Sequence, residues 1–260
     1  MNVKDFLKGK IPDSELELVN RSYDVVGDIA VVSVPDELTG REKLIAKAVM
    51  SINKHVSTVV KRVGVTEGVH RVRSVEHVLG EKKTVTIHVE NGCRFLVDLD
   101  KVYFNPRLGS ERLRVVNQFK KDDVVLDLFA GVGPFSIPAA KKCEKVFAVD
   151  INPSAMDLLR KNAELNKVRV EAVQGDLKTV WRKLPQGDRI VMNLPKNSIE
   201  FLPIAVKLCG RGGRIYLYTD EEVVEAPKGF KHVFSRKVLM IGPRVWHFVH
   251  EFVRKKWWFF

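Results

Sequence analysis

The chain is poor in cysteine. Its 260 residues hold three, Cys93, Cys143 and Cys209, an odd number at spacings that match no zinc ligand set. A disulfide framework and a structural zinc module are thereby excluded, and a reducing, cytoplasmic compartment is expected. No apolar run approaches the ~20 residues that a membrane helix needs. No apolar stretch follows Met1–Asn2–Val3–Lys4–Asp5, so no signal peptide is read there. A soluble monomer with no membrane partner and no metal is expected. Repeats and low-complexity stretches are absent as well. Acidic residues are outnumbered, 32 against 44 Lys and Arg, which leaves a formal charge of +12. The surplus is uneven. Residues 1–110 hold 17 basic against 15 acidic residues, and residues 111–260 hold 27 against 17. A polyanionic substrate brought to a site in the C-terminal portion would use such a surplus; the alternative is a solvated basic face that keeps the protein soluble.

Two composition regimes divide the sequence. Residues 1–20 read as an amphipathic leader without strong caps. Residues 21–100 read as a small α+β domain. Tyr23–Val34 gives two short strands about a Gly27–Asp28 turn, and Leu44, Ile45, Ala48, Val49, Ile52 and Val56 lie at helical spacing within Arg41–Val60. Further β-branched runs lie at Val59–Val63, Thr84–Glu90 and Cys93–Val97, with a hairpin turn at Glu90–Asn91–Gly92. Residues 101–260 alternate strand and helix. Strands are predicted at Val124–Leu128, Lys145–Asp150, Arg169–Gln174, Arg189–Asn193 and Arg214–Thr219, with helices such as Pro153–Leu165 and Ser198–Leu208 between them. A closing pair, His232–Ile241 and Val245–Val253, completes a Rossmann-like α/β domain with a seven-stranded, mostly parallel sheet.

The stretch Asp127–Leu128–Phe129–Ala130–Gly131–Val132–Gly133–Pro134–Phe135–Ser136 carries the chemistry. A strand ends in a carboxylate and then a Gly-x-Gly turn, where a backbone can approach a nucleotide-like ligand closely. The third glycine of the dinucleotide fingerprint is lacking, since Ser136 stands there, and that argues against a nicotinamide dehydrogenase. A carboxylate also repels a pyrophosphate and attracts a cation. S-adenosylmethionine, which carries an ammonium and a sulfonium, is the cofactor that fits. Asp150 ends the second strand, 23 residues after Asp127, where ribose hydroxyls are met. Gly175–Asp176 follows the third strand and suits an adenine amino group. Asn193–Leu194–Pro195 follows the fourth, where methyltransferases of planar nitrogens carry an Asn/Asp-Pro-Pro-aromatic turn; here Pro195 stiffens it and no aromatic follows. Each acid singly is as readily a helix cap or a loop charge.

The block Tyr103–Phe104–Asn105–Pro106–Arg107–Leu108–Gly109–Ser110–Glu111–Arg112–Leu113–Arg114, with the glycine loop and Asn193–Pro195, resembles archaeal and eukaryotic tRNA (guanine-N1)-methyltransferases acting on position 37, beside the anticodon. That resemblance spans roughly residues 20–260. It implies a class I, S-adenosylmethionine-dependent enzyme whose partner is the tRNA anticodon stem-loop. It further implies that Glu111 is the general base for guanine N1, that Arg71 stabilises charge on O6, and that Tyr103, Asn193 and Pro195 belong to the catalytic site. Arg112, the Asp127, Phe129, Gly131 and Gly133 loop, Asp150, Ile151, Asp176, Leu177 and Asn193 would hold the cofactor. The roles are chemically apt, because N1 is protonated at neutral pH and its deprotonation sends charge to O6. Many archaeal members carry a further N-terminal domain for the tRNA outer corner; this chain is short for it, which leaves tRNA selection open. Alternatives are the related aminocarboxypropyltransferase of wybutosine synthesis, a bifunctional methyltransferase of that pathway, and a non-catalytic RNA-binding protein on the same fold. Lys255–Lys256–Trp257–Trp258–Phe259–Phe260 either stacks on bases or packs on the protein itself.

Overall fold

A computed structural model of the chain describes residues 2–63, 74–242 and 244–256. It comprises two units, Met1–Glu90 with Arg94–Pro106, and Asn91–Cys93 with Arg107–Phe260. The division therefore falls at residue 106, a few positions later than the sequence pattern suggests.

The first unit begins with α1 (Val3–Leu7) and α2 (Asp13–Leu18). These residues are no loose leader. Asn2 and Asp5 form a reciprocal capping box, the Asn2 side chain accepting from the Asp5 amide at 3.1 Å and the Asp5 carboxylate from the Asn2 amide at 2.7 Å. Val3, Leu7, Ile11 and Val19 enter the same apolar cluster as Ala30, Val32, Val49 and Val59. Next come β1 (Asp24–Val26), β2 (Ile29–Val32), α3 (Glu42–Ile52), β3 (Thr58–Arg62) and β4 (Val75–Gly80), then the hairpin β5 (Val85–Glu90) and β6 (Cys93–Asp98). The sheet runs β1-β2-β3-β4, with α3 as the crossover between the parallel pair β2 and β3. The helix stops at Ile52 rather than reaching Val60. The β-branched residues Val56, Thr58, Val59 and Val60 are stiff at χ1 and favour a strand, which takes over at Thr58. Gly27 allows the tight turn before β2. Its φ is +55°, and a Cβ there would lie 2.1 Å from the Thr86 hydroxyl. That close approach lets Asp28 bind Ser57, Thr86 and Lys83 at once, and these contacts outweigh its burial and hold its carboxyl far below the usual range.

The second unit opens with α4 (Gly109–Asn117). Its sheet strands are β7 (Val124–Asp127), β8 (Lys145–Asp150), β9 (Glu171–Gln174), β10 (Gly187–Asn193), β11 (Cys209–Thr219), β12 (Phe230–Gly242) and β13 (Val245–Arg254). Between them lie α5 (Ser136–Ala140), α6 (Pro153–Leu165), α7 (Leu177–Val180) and α8 (Ser198–Leu208). The seven strands stand in the order β12-β13-β11-β10-β7-β8-β9, and β13 runs antiparallel to both of its neighbours. Period-two alternation feeds two cores. Leu126, Ile190, Met192, Ile215 and Leu217 face one layer, while Val125, Val191, Tyr216 and Tyr218 face the other. Strand order reverses between β7 and β10, and ligands of open α/β sheets bind at such a switch point.

The packing of residues 3–19 has a measurable consequence. Leu7 is fully buried on α1, so Leu7→Ala is expected to destabilise the first unit by ~2–5 kcal/mol in urea unfolding. An effect below about 0.5 kcal/mol, typical of surface positions, would show that these residues are a detachable leader.

Candidate active site

The site is assembled at the carboxyl ends of β7, β8, β9 and β10. Asp127 pairs in register with Val191 of β10 and Ala148 of β8, so the glycine loop leaves the sheet beside the switch point. The loop is fixed by its backbone. Leu128 donates to the Val191 carbonyl at 3.0 Å, Ala130 to the Val149 carbonyl at 2.8 Å, and Gly133 closes a turn on Ala130 at 2.9 Å. Gly131 and Gly133 have φ of +54° and +91°, and a Cβ on Gly133 would lie 3.0 Å from Ile137 and 3.4 Å from Leu159. Glycine is needed at Gly133 for conformation and for space alike.

Asp150 ties the loop to the second strand. Its Oδ2 accepts from the Gly131 amide at 2.7 Å and its Oδ1 from the Asn152 amide at 2.9 Å. Its backbone carbonyl accepts from Gly175 at 3.0 Å, which brings the end of β9 and the half-buried Asp176 alongside. Asp176 caps α7 by accepting from the Lys178 amide at 2.8 Å, and Leu177 behind it is buried. Ile151 is half-buried after β8, and Phe129 packs edge-on against Phe201 with centroids 5.1 Å apart. Asn193 ends β10 half-buried, followed by a turn at Pro195.

Asp127 does not face open solvent. It is fully buried, and its Oδ2 accepts from the Ser136 hydroxyl at 2.6 Å while Oδ1 has no hydrogen-bond partner. Burial pushes its carboxyl up to about 7, with the Asp150 charge adding to the rise and Ser136 opposing it. Its observed work is to fasten the loop to the start of α5.

On the other side of the switch point stands Glu111. It lies in the first turn of α4 and is 1% exposed. Arg114 grips it with two bonds, Nε to Oε2 at 2.9 Å and Nη2 to Oε1 at 2.7 Å. The Tyr218 hydroxyl donates to Oε1 at 3.1 Å, and Tyr218 pairs in register with Asn193. Arg236 of β12 places Nη2 3.3 Å from Oε2. Burial and the adjacent Glu111 charge hold the Tyr218 hydroxyl well above its ordinary value, so it stays a neutral donor. Behind Arg114 lies a second buried acid, Glu251 of β13, which accepts from Arg114 at 2.6 Å and from Arg214 at 2.7 Å. Desolvation works against the charge on Arg114, but its bonds to Glu111 and Glu251 prevail and raise its affinity for the proton.

Of the residues expected from sequence, the second unit thus brings together Glu111, Asp127, Gly131, Asp150, Asp176 and Asn193. Arg112 is buried on α4. Tyr103 lies in the first unit, exposed, with its hydroxyl accepting from the Asn105 side chain at 3.2 Å. Arg71, and Trp257–Phe260 of the aromatic terminus, lie outside the described residues. Among those described, no cluster of His, Cys, Asp and Glu would hold a metal ion. Further residues shape the site. The buried Asn162 of α6 donates to the Val132 carbonyl at 3.0 Å and clamps the glycine loop from outside. Ser198 accepts from the Leu194 amide at 3.2 Å and donates to the Met192 carbonyl at 3.1 Å, holding the turn after β10. The signals for such residues are polar groups on otherwise apolar faces: Asn162 among Leu158, Leu159 and Ala163, and Glu251 between Val249 and Val253.

The residues fit S-adenosylmethionine. Carboxylates end β7 and β8 and follow β9, Asp127 Oδ1 is an unfilled buried acceptor, and the loop from Phe129 to Ser136 contains no cation for a pyrophosphate. With the strand order, this defines a class I S-adenosylmethionine-dependent methyltransferase. Residues 86–239 match the TRM5/TYW2 methyltransferase domain, and residues 3–84 match the TYW2 N-terminal domain. The chain is 44% identical over 252 residues to tRNA (guanine(37)-N(1))-methyltransferase Trm5b of Pyrococcus abyssi, covering 90% of this chain and 76% of that protein. It is 43% identical over 207 residues to the Trm5b of Methanocaldococcus jannaschii, covering 78% of this chain and 60% of the relative. A solved complex of aTrm5 and tRNALeu superposes with a TM-score of 0.87 at 34% identity, covering 98% of this chain and 78% of that one. The chain belongs to the TRM5/TYW2 methyltransferase family.

The buried Asp127 makes stability depend on pH. Its folded value of about 7 lies above the ~4 of an unfolded aspartate. Folding therefore takes up a proton between those values. The residue's cost is absent below about pH 4, grows as pH rises through the window, and is complete above about 7. Asp127→Asn should be more stable than wild type at pH 8, with an advantage on the order of a few kcal/mol that shrinks toward pH 5. Urea midpoints at several pH values test this, and parallel curves for the two proteins would contradict it.

Proposed function

We propose that the protein transfers a methyl group from S-adenosylmethionine to N1 of the guanine at position 37 of tRNA, 3′ of the anticodon. The observation that carries this reading is the buried Glu111 carboxylate, joined through Tyr218 to the strand pair that ends at Asn193. A methyl acceptor with a free lone pair would need no base. Guanine N1 carries a proton, and a carboxylate beside the end of β10 is placed to receive it. The names of the relatives, and the tRNA in the complex of one solved neighbour, support the same substrate.

S-adenosylmethionine supplies the electrophilic methyl group, whose sulfonium sulfur retains the bonding pair when the carbon is attacked. Asp150 and Asp176, with the Gly131–Gly133 backbone, would hold it. Glu111 takes the N1 proton onto a carboxylate oxygen, and the pair left on N1 spreads toward O6. The Asn193 amide orients the base edge, and Pro195 and Ser198 keep that turn from shifting. Positioning of this kind supplies much of the rate of a displacement. Arg71 is assigned to the O6 charge and Tyr103 to the base, both from the resemblance of their sequence block. The match of residues 3–84 to the TYW2 N-terminal domain favours a second reading, modification of a wybutosine intermediate at the same nucleotide.

Glu111→Gln is expected to bind S-adenosylmethionine as wild type does, while single-turnover transfer to a tRNA transcript falls by about 10²-fold or more. Calorimetry and filter-bound methyl label measure the two quantities. Unchanged transfer would remove Glu111 from the role of base.

A further inference from the structure

The carboxylate of Glu111 is crowded by cations and donors. An ionised carboxylate offers about four acceptor sites; three take hydrogen bonds, from Arg114 Nε and Nη2 and the Tyr218 hydroxyl, and Arg236 Nη2 stands against Oε2 as an ion-pair partner. The remaining acceptor position is on Oε2, beside the Arg236 guanidinium, so an incoming N1–H meets Arg236 there. The four are not equally held. Tyr218 is 1% exposed and fixed in the core. Arg114 is anchored from behind by Glu251 at 2.6 Å and lies over the Phe234 ring at 4.6 Å. Arg236 makes the longest contact, 3.3 Å, from a side chain that is 42% exposed on β12, the outermost strand of the sheet.

We propose that Arg236 caps Glu111 in the free enzyme, gives way to the guanine, and then pairs with O6 of the same base. N1 and O6 are neighbours on one edge of guanine. A guanidinium displaced from Oε2 by N1–H therefore needs only a short shift to meet O6, where charge gathers as the proton leaves. Arg236 is thereby a second substrate-facing cation, distinct from Arg71. Arg114 stays bound to Glu111 throughout the exchange, so the burial of the carboxylate is compensated with or without Arg236. The inference rests on Glu111 being the base.

Single-turnover methyl transfer to a G37 transcript, by wild type, Arg236→Met, Arg236→Lys and Glu111→Gln, tests it. Arg236→Met should lower the rate by about 10²-fold, the scale of losing one donor to a developing oxyanion. S-adenosylmethionine affinity and Tm should be unchanged, and Arg236→Lys should recover at least part of the loss. In the Glu111→Gln background, Arg236→Met should cost less than in wild type, since the two act on one proton transfer. A rate for Arg236→Met within fivefold of wild type, or above it, overturns the proposal, the latter showing a merely inhibitory contact. An equal loss in both backgrounds overturns it too. Should Glu111→Gln itself retain full activity, it is the assignment of the base that fails.

Discussion

Two buried carboxylates and the arginine between them set the terms for this structure. Glu111 and Glu251 are each 1% exposed, and Arg114 binds both. Taking such charges from water costs several kcal/mol apiece, and only close, well-aligned partners compensate. Removing one partner would leave the others stranded, so α4, β11 and β13 are locked in relative position by charge as well as by packing. Arg214 and Gln118 extend the lock, with Arg214 reaching Glu251 at 2.7 Å and Gln118 at 2.5 Å. Through Tyr218, whose hydroxyl binds Glu111 and whose backbone pairs with Asn193, the lock reaches the carboxyl end of β10.

The cofactor side follows a different logic. There the backbone does most of the holding, and side chains hold the backbone. Asp150 binds the Gly131 amide, Asn162 the Val132 carbonyl, and Ser136 the carboxylate of Asp127. The loop is thus preorganised before any ligand arrives, which spares binding energy for the transfer itself. Its carboxylates, with no cation in the loop, select for a positively charged ligand and against a phosphate-rich one. The basic surplus of the second unit then serves the other substrate, a polyanion.

Much of this was legible in the sequence. The parallel strands and the helices Pro153–Leu165 and Ser198–Leu208 follow from periodicity, because β7, β10 and β11 are buried on both faces and each helix is bounded by a cap or a turn. The glycine loop and its flanking acids are local in sequence and therefore readable. What escaped is non-local. Arg236, Tyr218 and Glu251 come from three strands more than a hundred residues beyond Glu111, and no spacing rule connects them. The burial of Asp127 is hidden for a similar reason. A carboxylate at a strand end looks available in sequence, but Ser136, nine residues on, folds back and buries it. The N-terminal residues read as a leader because helices of five and six residues leave little periodicity to detect, although their apolar positions belong to the first core.

The central claim is that this family member methylates N1 of guanine 37. Nucleosides from an unmodified tRNA transcript, incubated with the purified protein and S-adenosylmethionine, should yield 1-methylguanosine by mass spectrometry, and a transcript with adenine at position 37 should yield none. Cofactor binding without 1-methylguanosine, or a product carrying an aminocarboxypropyl group instead, would contradict the account.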